Sequence, residues 1–161
     1  MTKRIFAVLA LGIATFGLAS CEKSADESEV LQAPEGVPGL AVTGARVVLP
    51  AVGGNPAAVY FNIDYTGDTN QTLSGLFVEG AESAMMHEYA EKDFKVQMVP
   101  MEKLELTKGS KISFEPGGKH GMAMGVSPEL AAGGKTEVTL IMASGDKTSV
   151  TADIQAAGEA R

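Results

Sequence analysis

The run AAVYFNIDY, residues 57–65, alternates Val59, Phe61, Ile63 and Tyr65 with more polar neighbours. A strand turns successive side chains to opposite faces, so this run can bury one face and wet the other. Runs of similar character recur after it: TLSGLFV, KVQMV, KISFE, TEVTLIMA and TSVTADI, with AVTGARVVL before it. Turn signals separate them at TGDTNQ, TKGS, PGGK and SGDK. Short strands spaced this regularly predict an all-β sandwich or barrel of antiparallel strands. The strongest helical signal is SPELAAGG, 127–134, enough for one turn.

The ends read differently. Residues 1–20, MTKRIFAVLALGIATFGLAS, pass from the basic Lys3 and Arg4 into a short apolar stretch, the pattern of a secretory signal. LASC at 18–21 resembles a bacterial lipobox, which makes Cys21 the expected lipidation site and mature N-terminus. Residues 21–40 are acidic and rich in turn formers, as expected of a flexible tether. The β domain is expected over 41–155 and a frayed tail over 156–161. Glu22 after the cysteine resembles a sorting signal for the outer membrane. The expected location is therefore the periplasm of a Gram-negative bacterium, on a lipid anchor.

Loss of the two cations Lys3 and Arg4 with the signal takes the formal net charge from −7 to about −9. Phosphate neutralisation needs clustered Lys and Arg, so no nucleic-acid partner is expected. A monomer is expected.

The 161 residues hold two histidines, His87 and His120, and each has methionines nearby. In KHGMAMG, 119–125, a strand would place His120, Met122 and Met124 on one face. A hairpin turning near Lys92 and Asp93 would lay His87 across from Met98. The candidate set is His87, Met98, His120 and Met122, with Met124 a poorer candidate. Met85, Met86 and Met101 read as core packing.

Two imidazoles and two thioethers, with neither carboxylate nor thiolate, make a soft and uncharged donor set that favours copper(I). A zinc site would call for cysteine, histidine and carboxylate. A blue-copper carrier needs a thiolate, and the single cysteine, Cys21, belongs to the lipobox. No enzyme is expected. Ser83 and Ser127 lack a nucleophile-elbow context, and no glycine-rich phosphate loop follows a strand. Glu82, Glu88 and Glu91 read as a solvated acidic edge.

His87, ten intervening residues, Met98, twenty-one more, then His120 and Met122: this spacing resembles that of the periplasmic copper chaperone family PCu(A)C. PGGKHGMAMG at 116–125 is similar to the second signature block of that family. GARVVLP at 44–50 and NIDYTGD at 62–68 are similar to its early strands, so the resemblance runs from about Val42 to Ile154. It departs just after His87, where Glu88 and Tyr89 stand and the methionines, Met85 and Met86, come before instead.

The resemblance implies a cupredoxin-like Greek-key fold and copper(I) carried on His87, Met98, His120 and Met122. It also implies delivery to the copper centre of cytochrome c oxidase, the acceptor being an oxidase subunit or a thioredoxin-like assembly factor. Storage, uptake or buffering of copper without a dedicated acceptor is the alternative.

Overall fold

The computed structural model describes residues 36–92 and 94–159. The expected signal, Cys21 and most of the expected tether lie outside the described residues. From its far end, Val37 is buried and its backbone N–H donates to Thr148 Oγ1 at 2.8 Å.

The expected all-β class is found. Among the described residues ten strands follow one another: β1 (Leu40–Val48), β2 (Ala57–Tyr65), β3 (Gln71–Val78), β4 (Ser83–Lys92), β5 (Lys95–Met101), β6 (Leu104–Leu106), β7 (Ser110–Phe114), β8 (His120–Met124), β9 (Lys135–Met142) and β10 (Lys147–Gln155). The segment at 127–134 forms turns rather than a turn of helix. Gly133 there takes positive φ, a conformation that helix does not use.

Hydrogen bonding runs in the order β5-β4-β8-β2-β1-β10-β9-β3-β6, with β7 also on β2. The pairings are antiparallel except β1 with β10, which run parallel through Arg46↔Asp153 to Val48↔Gln155. That is one departure from an antiparallel fold, and a bulge accompanies it. The β1–β2 register slips between Thr43 and Arg46, where Gly44 takes φ 63°, the left-handed geometry glycine supplies at such bulges.

The alternation in β2 does what its sequence implies. Ala57, Val59, Phe61, Ile63 and Tyr65 are buried, while Asn62 between them is exposed. Phe61 stacks on its cross-strand partner Phe114, with centroids 4.3 Å apart. Burial of one such ring contributes about 1.5–3 kcal/mol.

One edge of β2 serves two strands. Its C-terminal half pairs with β7 and its N-terminal half with β8. Across the core, Leu76 of β3 reaches β8 at Gly121, where a Cβ would stand 2.9 Å from the Leu76 Cδ1 and 2.9 Å from the Val59 Cβ. Glycine lets the two layers close on each other there. As β8 turns Gly121 and Ala123 inward, His120, Met122 and Met124 are left on the outer face.

Candidate metal centre

Three adjacent strands build the centre, with β8 flanked by β2 and β4, and β4 continuing into β5 through a hairpin. In the β4–β8 ladder His87 stands opposite His120 and Met85 opposite Met122. Directly opposed residues share a face, so all four project outward together.

The β4–β5 hairpin differs from expectation. His87 pairs with Pro100, and Met98 pairs with Tyr89. The turn falls beyond Lys92↔Lys95, one position later than expected, which slides the partner of His87 by two residues. A slip of two preserves the face, so Met98 remains on the outer side, diagonal to His87.

His120 is a buried residue on this outer face, 7% exposed. Met98 and Tyr89 lie against it. Its Nε2 is 3.2 Å from Met98 Sδ, and the Tyr89 ring centroid is 5.6 Å from its own. Its Nδ1 lies 2.9 Å from the carbonyl oxygen of Gly118. A carbonyl only accepts, so Nδ1 donates to it, and in the neutral imidazole the lone pair is then on Nε2. Thioether sulfur has no proton either. An imidazole nitrogen and a thioether sulfur thus converge, two donors that would suit a soft metal ion.

The His87 ring lies roughly parallel to that of His120, with centroids 6.0 Å apart. Its Nδ1 is buried without a hydrogen-bond partner. Such an atom costs stability unless something else satisfies it. Burial chiefly, and repulsion from His120 in second place, hold its pKa below the ordinary histidine value. His87 is therefore predisposed to the neutral form that metals bind.

Met122 is half-buried on the same face, next to His120. Met124 stands farther along, opposite Ser83. Met86 and Met101 pack in the core, as the sequence suggests. Met85 does not: it is 44% exposed on the outer face. Core packing therefore does not account for it. Strand period two places Met85, two residues before His87, on the face of that histidine, a local signal that reading it as core filler passed over, and the pairing with Met122 arises only once β8 lies beside β4.

The candidate donors gathered here are imidazole nitrogens and thioethers, types matched to a soft monovalent cation. Among the described residues, no group of three or more His, Cys, Asp or Glu side chains is placed to hold a metal. The carboxylate-rich cages of hard divalent ions have no counterpart among them.

Comparison with known proteins agrees with this architecture. The family model described as LpqE-like, a lipoprotein family by name, matches residues 40–154. A protein named as a lipoprotein, Lxx21020 of Leifsonia xyli subsp. xyli (strain CTCB07), is 26% identical over 158 residues, covering 96% of this chain and 92% of its own. The apo PCuAC domain from PmoF1 is 28% identical with a TM-score of 0.61, covering 74% of this chain and 96% of that one. The copper-bound PCuAC domain from PmoF2 has a TM-score of 0.61 at 19% identity, over 74% and 95% of the two chains. The solution structure of CuI-DR1885 from Deinococcus radiodurans has a TM-score of 0.57 at 23% identity, over 85% and 89%. With the matched model spanning nearly the whole described β region, the chain belongs to the LpqE-like family and has the fold of PCuAC domains.

Proposed function

We propose that this protein is an exported, lipid-anchored copper(I) chaperone that carries one ion on His87, Met98, His120 and Met122. One observation carries the reading: His120 Nε2 and Met98 Sδ converge to 3.2 Å while the other ring nitrogen of His120 is engaged by the Gly118 carbonyl, beside the unpartnered Nδ1 of His87. The fold supports the choice of cargo, since two of the similar structures are copper-bound forms by name. The lipobox resemblance at Cys21 and the lipoprotein name of the family support the anchor.

The ion is cargo, held by neutral donors at a partly exposed face. Met98 is 45% exposed, so an acceptor's ligands reach the site without prior unfolding. The proposed acceptor is the copper centre of cytochrome c oxidase or a thioredoxin-like factor that assembles it, as the family resemblance implies.

The test is copper(I) competition against a chromophoric chelator. Met98→Leu costs less than about 1.5 kcal/mol in fold stability, because volume is nearly conserved. It removes one donor sulfur and lowers copper(I) affinity, whereas Met124→Leu leaves the affinity unchanged. Equal behaviour of the two variants, or no copper(I) bound by the parent, would sink the reading. Transfer to an apo oxidase copper domain faster than free-ion dissociation separates delivery from buffering.

A further inference from the structure

Met85 and Met86 adjoin in sequence and part in the fold. Met86 is 3% exposed in the core, while Met85 is 44% exposed on the face that carries the candidate centre. Met85 is the direct cross-strand partner of Met122, and the next pair on the same face is His87 with His120. Directly opposed Cβ atoms lie about 4.5–5.5 Å apart. A methionine side chain is long and unbranched enough for two facing sulfurs to reach one point.

The sheet order adds a direction. Met122 sits on β8, whose two neighbours cover both of its edges, while Met85 lies one strand nearer the free edge at β5. A sulfur at Met85 is therefore the more accessible of the pair.

Resting on the copper(I) reading above, we infer that Met85 is a fifth donor, whose thioether exchanges with that of Met122 on the same ion. In the exchange the bond from Met85 sulfur to copper forms as the bond from Met122 sulfur breaks. Both ligands are neutral thioethers, so no proton or electron moves and the ion stays copper(I). The exchange carries the ion from the interior strand β8 toward β4, and so toward an incoming acceptor.

The experiment compares copper(I)-loaded parent, Met85→Leu, Met122→Leu and the double variant by chelator competition and by X-ray absorption at the copper edge. Met122→Leu combined with Met124→Leu is the control. Met122→Leu retains two sulfur neighbours and loses no more than about tenfold in affinity. The Met85→Leu/Met122→Leu protein keeps one sulfur and loses more than the product of the two single losses, as expected of donors that substitute for each other. The inference is overturned if Met122→Leu alone falls to one sulfur, or if adding Met85→Leu to it changes nothing. It is also overturned if the control double variant loses as much. Each of these results leaves the copper(I) reading standing, since that reading is tested separately by the parent, the Met98→Leu variant and the pH dependence of affinity.

Discussion

The two imidazoles of the proposed site are positioned by different means. At His120 a backbone carbonyl, that of Gly118, fixes the tautomer and aims Nε2 at Met98. At His87 burial does the work, leaving Nδ1 unpartnered and the pKa below the ordinary value. The sign of the pH response follows. Unfolded, His87 takes its proton near the ordinary value of about 6.5; folded, it does so only at lower pH. Protons thus favour the unfolded chain, and the apo protein loses stability as pH falls through that window. Copper(I) binding weakens in the same direction because imidazole must be neutral to coordinate, and the share of the loss due to His87 comes below about 6.5. Competition titrations between about pH 7.5 and 5 read this directly. A flat affinity would remove both histidines from the ligand set, and a loss centred near pH 4 would point to carboxylates.

At the scale of elements, β8 reverses the usual placement of bulk in a strand. Its inward residues are Gly121 and Ala123, and its large side chains face outward. The reason is the close approach of Val59 and Leu76 to Gly121. Gly121→Ala places a methyl group under 3 Å from both and costs about 1–3 kcal/mol of stability through overpacking. Because β8 must shift to relieve the contact, copper(I) affinity falls as well. Denaturant unfolding and chelator competition on the same variant measure the two effects, and an unchanged midpoint would show that β8 is not pinned there. The alternation of His120, Met122 and Met124 is legible in the sequence because strand geometry is local and has period two. The hairpin register is less so. Its loop contains Phe94 at φ 60° and no glycine, so the dipeptides that ordinarily mark a hairpin centre are missing. The expected register errs by two residues, and Met98 keeps the face of His87 because two is the period of the strand.

Across the whole molecule, the proposed anchor and the proposed cargo site reside in separate stretches of chain. Cys21→Ser is expected to release the protein from membranes while copper(I) affinity stays at the parental value. Detergent-free fractionation with chelator competition on the soluble fraction checks both, and parental fractionation with an outer-membrane marker tests the sorting expected from Glu22. Persistent membrane association of the variant would assign anchoring to another segment. No helix among the described residues is long and apolar enough to span a bilayer.

The sequence by itself determined the period-two alternation, the all-β class and the kind of donor, because each depends on residue identity and local spacing. Two histidines, several methionines and a single cysteine already point away from zinc and toward copper(I). Tertiary structure alone decided which donors stand side by side. His87 faces His120 and Met85 faces Met122 because β8, remote in sequence, inserts between β2 and β4. That neighbourhood is set by strand pairing and core packing, Gly121 beside its partner Val59 and against Leu76 from across the core, and no local period in the chain encodes it.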